Sequence, residues 1–150
     1  QIDEGVQAIQ IFDSWVGCLS VSDYRNHVFA HSKKLLDSIS GKVPVIHFGT
    51  GNPSLLPLMK EAGGDVMALD WRAPLKESWE LLGCKAVQGN MDPIALFGSV
   101  ASVRQAAGLI LEEVDGRPGH IFNLGHGILP ETPVENVKAL VEFVQGYQTS

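Results

Sequence analysis

Residues able to move protons, hold carboxylates or accept hydrogen bonds recur along this chain in pairs: Asp13 with Ser14, His47 with Thr50, Asp70 with Arg72, Asn90 with Asp92, and Asn123 with His126. Each pair follows a short apolar run. If those runs are parallel strands, their carboxyl ends converge on one rim, and residues far apart in sequence meet there. Polar residues at strand ends also cap helices, and Asp92 and Asn52 fit that plainer role as well. The fullest of these stretches is HIFNLGHGILPETP, from His120 to Pro133. His120 to Leu124 reads as a short buried strand, and Gly125-His126-Gly127 as a free-turning backbone with one imidazole at its tip. Thr132 is placed to N-cap the next helix, with Pro133 at its first position and Glu135 completing a capping box.

Other chemistries fit less well. A Ser/His/Asp hydrolase built on Ser14 and His126 lacks the Gly-x-Ser-x-Gly elbow that holds such a nucleophile. His27 and His31 stand one helical turn apart, yet no Glu lies between them and no third metal ligand is evident, so they read as a solvated or interface face. Gly49-Thr50-Gly51 has neither Walker A nor G-x-G-x-x-G spacing, because Pro53 and Ser54 take the following positions. Trp15, Trp71 and Phe48 could line a cavity for a flat ligand; the alternative is that they fill the core.

The elements that must position these residues alternate from end to end. Ala8 to Phe12 is a strand, and a helix follows from about Ser22, where Tyr24, Val28, Leu35, Leu36 and Ile39 fall near a 3.6-residue period. Val43 to Phe48 is the second strand, followed by a helix through Leu55, Leu58, Met59 and Ala62 that Gly63-Gly64 closes. Val66 to Leu69 is the third, with Pro74 starting a helix that stops near Gly83. Ala86 to Gln88 is a weaker fourth, ahead of a long helix marked by Val103, Ala106, Ala107, Ile110, Leu111 and Val114. The fifth strand precedes a helix with an apolar stripe of Val134, Val137, Leu140, Val141 and Val144. Pro53, Pro74, Pro93 and Pro133 recur near helix starts, which fits short strand-to-helix loops of one plan. Serial βα units form parallel sheets, either an open doubly wound sheet or a (β/α)8 barrel. Five such units fall short of the roughly 250 residues of a closed barrel, so periodicity favours the open sheet.

Size and composition set the outer bounds. The 150 residues, 45% hydrophobic and 19% charged, suit one globular domain. No apolar run approaches the roughly 20 residues of a membrane span, and there is no basic leader. The sequence opens at Gln1 without an initiator Met, so a preceding piece is expected. Cys18 and Cys84 are too few for a disulfide framework or zinc cluster and are expected as buried free thiols. A formal charge of −6 argues against nucleic acid or an anionic membrane as partner, though it leaves room for an anionic small molecule held by local donors.

Taken together, QIFDSW at 10–15, VIHFGTG at 45–51, LDWR at 69–72, QGNMDP at 88–93 and FNLGHGILPETP at 122–133 closely resemble the uroporphyrinogen decarboxylase family, in the order and spacing of its C-terminal half. The resemblance implies an α/β fold of serial βα units with parallel strands, the C-terminal portion of a (β/α)8 barrel. Residues 1–150 are then expected to be one partial domain, with the N-terminal part of the barrel absent. It implies a cytoplasmic homodimeric carboxy-lyase of haem and chlorophyll synthesis, using no metal or organic cofactor. The implied reaction removes carbon dioxide from the four acetate arms of uroporphyrinogen III to give coproporphyrinogen III.

By the same resemblance Ser14 matches the family serine that contacts a substrate carboxylate, and His126 its substrate-binding histidine. The family's N-terminal arginine pair, its central aspartate and the nearby tyrosine have no counterpart in these 150 residues, so no catalytic residue is assigned and the segment is expected to be inactive alone. Two rivals remain. One is a zinc-dependent corrinoid methyltransferase on the same barrel, which resembles His-x-Cys at the His47 strand and a later Cys where His126 stands. The other is a non-catalytic half-barrel that associates, with itself or another chain, through exposed strand edges.

Overall fold

The structure, a computed structural model, describes residues 1–148. Five parallel strands form one sheet: β1 (Ile9–Asp13), β2 (Val45–Gly49), β3 (Val66–Ala68), β4 (Ala86–Gln88) and β5 (His120–Ile121), in the spatial order β1-β2-β3-β4-β5. The order never reverses. Right-handed crossovers between sequential neighbours put every connecting helix on the same face, whereas a doubly wound sheet must reverse once to cover both. The open doubly wound sheet favoured by periodicity is therefore overturned, and the arrangement is that of a barrel segment.

Register shows which side chains share a face. Phe12 lies opposite Phe48, Phe48 opposite Ala68, and Ala68 opposite Gln88. The strand residues between them, among them Ile11, Val45, Met67 and Val87, point to the helices and join the core. The opposite face is concave. Gln88 Nε2 donates to Gln10 Oε1 at 3.2 Å, although two strands separate β4 from β1. In a flat sheet those strands would stand roughly 14 Å apart at about 4.8 Å each, so the sheet curls toward this face as a barrel wall does.

The helical layer follows the apolar pattern, with local departures. The first helical run passes from α1 (Val21–Asp23) through a π turn at Tyr24–Val28 into α2 (Phe29–Ile39). Ser20 caps it, accepting from the Asp23 amide at 3.0 Å while its hydroxyl donates to the Asp23 carboxylate at 2.8 Å. The π turn adds a residue to the helical circuit where the fully buried Tyr24 reaches the end of β1. The other helices are α3 (Leu56–Ala62), α4 (Leu75–Leu82), α5 (Val100–Val114) and α6 (Val134–Gly146). Asp92 does cap, accepting from the Ile94 amide at 2.9 Å, but the buried Asn52 turns its amide toward the Met59 sulfur instead.

Several expectations are corrected. Thr132 does not cap α6: its hydroxyl accepts from the Leu129 amide at 3.1 Å, closing the preceding turn, and Pro133 takes the N-cap position without a side-chain bond. The fifth strand keeps only His120 and Ile121 in ladder geometry, with Leu124 bridging Met91 beyond a break, and Ile121 is exposed because it pairs with Gln88 on the uncovered concave face. Cys18 is exposed rather than buried, its thiol on the Trp15 carbonyl, and Trp15 fills neither core nor cavity at 88% exposure. Val134 and Val141 face solvent, leaving Val137, Leu140 and Val144 as the packed stripe of α6. Among the described residues no helix is long and apolar enough to cross a membrane.

Candidate functional site

The concave face carries a cleft of about 220 Å³ walled by Gln10, Phe12, Phe48, Gln88, Asn123 and His126. Strand alternation supplies the first four. The loop after β5 supplies the last two, and its path depends on Gly125. That glycine is buried against the backbone of Trp71 so closely that a Cβ would collide with the Trp71 nitrogen. The contact delivers the His126 ring, edge-on, to 6.4 Å from Phe48 and 6.1 Å from Trp71. Phe12 meets Phe48 at 5.8 Å, also edge-on, and is 63% exposed. The exposed His126 imidazole has one hydrogen-bond contact among the described residues, from Nδ1 to the Gly127 carbonyl at 3.4 Å, so its ring edge stays open to a ligand. An apolar wall with one open imidazole and three side-chain amides suits a flat, polar-edged ligand. At about 220 Å³ the cleft is below the roughly 300 Å³ lower bound for sites that enclose a drug-sized molecule, so this wall alone encloses only part of one.

The other strand-end groups are turned away from the cleft and engaged with one another. His47 is 0% exposed; its Nε2 lies 3.0 Å from Asp13 Oδ2 and its Nδ1 3.2 Å from the carbonyls of Met59 and Gly63. Asp13 also accepts from the Ser32 hydroxyl at 3.0 Å and the Tyr24 hydroxyl at 3.3 Å. Burial pushes the Asp13 carboxyl up, but the hydrogen bond and charge of His47, with Ser32 and Tyr24, outweigh it and hold the group below the usual carboxylate value. Burial, and then the Asp13 charge, push the Tyr24 phenol up to about 12. Asp70 is equally buried and saturated, accepting from the Gly51 amide at 3.0 Å, the Arg72 amide at 2.8 Å and Arg72 Nη1 at 2.9 Å. The Arg72 guanidinium also lies 3.8 Å over the Trp71 ring. Asn90 ties its amide to the carbonyls of Asp70 and Ala73, joining β3 and β4 loops.

The fold thus divides the residues that sequence brought together. His126, Asn123 and Phe48 line one cleft, with Trp71 half-buried beside His126. Asp13, His47, Asp70 and Asn90 brace the loops from behind. Ser14 sits half-buried in the turn just after β1, two residues from Phe12, and is not part of the cleft wall around His126. His27 and His31 are exposed on the first helical run. Among the described residues no group of three or more His, Cys, Asp or Glu is placed to hold a metal ion. In sequence Gln10, Phe12 and Gln88 stand out only as strand residues. The signal that could have found them is parity, since residues 10 and 12 share the β1 face opposite to Ile9 and Ile11.

A singly wound parallel sheet with its cleft at the concave face and strand ends is a (β/α)8-barrel segment of the kind that binds ligands at its rim. The comparisons with known proteins agree. The family described as uroporphyrinogen decarboxylase (URO-D) matches residues 1–147. The chain is 53% identical over 152 residues to uroporphyrinogen decarboxylase of Koribacter versatilis, covering 99% of this chain and 43% of that protein. It is 51% identical over 146 residues to that of Sorangium cellulosum, covering 96% and 42%. A solved methyltransferase from Methanosarcina mazei superposes with TM-score 0.81 at 26% identity, over 96% of this chain and 43% of that one. The chain belongs to the uroporphyrinogen decarboxylase family, and it spans about 43% of the length of the curated relatives it matches.

Proposed function

We propose that this chain is one wall of a uroporphyrinogen decarboxylase, a cytoplasmic enzyme that converts uroporphyrinogen III to coproporphyrinogen III, and that His126 and Ser14 bind carboxylate arms of that substrate. The observation that carries the reading is the free His126 imidazole held at the edge of an aromatic cleft by Phe48 and Trp71. A tetrapyrrole has flat pyrrole faces for Phe12 and Phe48 and acidic arms for an imidazole and a hydroxyl.

The chemistry explains why one wall is not enough. Each acetate loses carbon dioxide after a proton adds to the pyrrole ring; the electrons of the breaking C–C bond flow into the ring cation, a second proton converts the exocyclic methylene to methyl, and the proton first added to the ring leaves to restore the pyrrole. The cation needs a fixed negative charge beside it, and the acidic arms need cationic clamps. The buried Asp70 and the half-buried Asp13 are already engaged by Arg72 and His47. The missing groups therefore belong to the remaining barrel strands, in a longer polypeptide or a complementing chain, and the 150 residues form a single partial domain.

The test is to assay uroporphyrinogen with the segment alone and with the segment joined to the strands that complete the barrel. The complete form should turn over and the segment should not; robust turnover by the segment alone would overturn the proposal. The likeness to a methyltransferase keeps a second reading in view, a zinc site on the same barrel. Its His-x-Cys position is occupied here by His47-Phe48-Gly49, and His47 is buried on the helix side against Asp13. Stoichiometric zinc in the purified complete protein would favour that reading. The free edges at β1 and β5 also support association of the segment, as a homodimer or with a second chain, and a monomeric mass in solution would count against it.

A further inference from the structure

Asp13 and His47 lie behind the cleft, on the helix-facing side of β1 and β2, and the chemistry above uses neither. Their hydrogen bonds are nonetheless unusually complete. His47 is fully buried, and each ring nitrogen faces acceptors: Nδ1 the Met59 and Gly63 carbonyls, both at 3.2 Å, and Nε2 the Asp13 carboxylate at 3.0 Å. A carbonyl offers no proton, so Nδ1 must carry one to bond either of them. Asp13 takes donors from three sides at one oxygen, with Ser32 at 3.0 Å and Tyr24 at 3.3 Å beside His47. Such a set favours the ionised carboxylate, and Nε2 must then carry a proton too. Tyr24 is the other titratable group on this pair; Ser32, Met59 and Gly63 contribute neutral dipoles.

The residue after Asp13 is Ser14, and the short turn that holds it is fixed at both ends. On one side stands the Asp13 carboxylate. On the other, Gly17 packs so tightly on the carbonyls of Thr50 and Gly51 that a Cβ there would collide with them. The backbone between these two anchors therefore sets the position of Ser14 and the direction of its Cα–Cβ bond. We propose that the half-buried Asp13 and the buried His47 form a carboxylate–imidazolium pair that positions Ser14 for its contact with a substrate carboxylate. The inference rests on the reading of Ser14 given above, and Asp13 is in these terms a positioning residue rather than a catalytic one.

Two measurements on the complete enzyme test it. Nitrogen-15 labelling of histidine should show both ring N–H groups of His47 protonated at neutral pH, and a single ring N–H would overturn the ion pair. In uroporphyrinogen assays D13N should raise KM about tenfold with kcat changed less than about threefold, as lost ground-state positioning does. The deciding comparison is with S14A. If Asp13 acts through Ser14, D13N adds little in the S14A background, whereas a full additional tenfold loss there would show a merely structural role and overturn the proposal. S32A, which removes one donor and leaves the pair, should shift KM in the same direction by a smaller factor and serves where D13N folds poorly. Should S14A leave KM unchanged, the substrate reading of Ser14 fails and the positioning step with it, while the histidine resonances still decide whether the pair exists.

Discussion

The two faces of the same strands are built on opposite terms. Behind β1 and β2, Asp13, His47, Tyr24 and Ser32 satisfy one another at 3.0 to 3.3 Å, and His47 is wholly buried. In front, Phe12 is largely exposed and His126 keeps an open ring edge. A polar group in the low-dielectric interior is costly unless paired, so saturation marks a bracing role. A wall that leaves an aromatic ring and an imidazole open at a concave face marks a place for a ligand. The contrast separates residues that look equally chemical in sequence.

The largest expected effect that could break this contrast is on the buried side. Replacing His47 by Ala leaves the Asp13 carboxylate without its main partner and should lower unfolding stability by about 3–5 kcal/mol in denaturant titration; a loss below about 1 kcal/mol would mean the pair is not charged. Next comes the joint between the two regions. Gly125→Ala drives a Cβ into the Trp71 backbone and should cost about 1–3 kcal/mol, read as a lower Tm, together with loss of the His126 contacts to Trp71 and Phe48 in NMR.

A smaller effect follows from pH. The folded Asp13 carboxyl titrates below its ordinary value of 3.8, so the stability it contributes is present above that value and is lost as pH falls through the lower folded one. Asp13→Asn should flatten that part of the acid-unfolding profile, and an unchanged profile would remove Asp13 from the acid response. The smallest effect on stability belongs to the open face. Phe12→Ala should change stability by no more than about 0.5 kcal/mol yet weaken tetrapyrrole affinity of the complete enzyme about tenfold, measured by quenching of porphyrin fluorescence. Unaltered affinity would take Phe12 out of the site.

Much of the fold could be read from apolar spacing. The periods of Leu55, Leu58, Met59 and Ala62, and of Val103, Ala107 and Ile110, place buried helix faces where the structure has them. The strand segments at 45–48, 66–68 and 86–88 also stand where their runs of Val, Ile, Phe and Ala indicated. Local chemistry misled where tertiary contacts compete. Thr132 has the sequence of a capping residue but is drawn into the Leu129 turn, and the run from His120 to Leu124 leaves the ladder after Ile121, where its neighbour β4 has ended at Gln88. Of the candidate site, His126 and Asn123 were readable as strand-end residues, whereas the parts played by Phe12 and Gln88 depended on which face each strand turned inward.

Sequence established the order of βα units, the helix faces, the family resemblance and the short list of residues able to bind an acidic ligand, because these depend on period and motif along the chain. Whether the sheet reversed or wound in one direction was decided in three dimensions, as was the sorting of strand-end groups into a brace and a cleft. The physical reason is that adjacent residues on a strand point to opposite faces, so Phe12 and Asp13 differ by one position in sequence and by an entire layer in the fold.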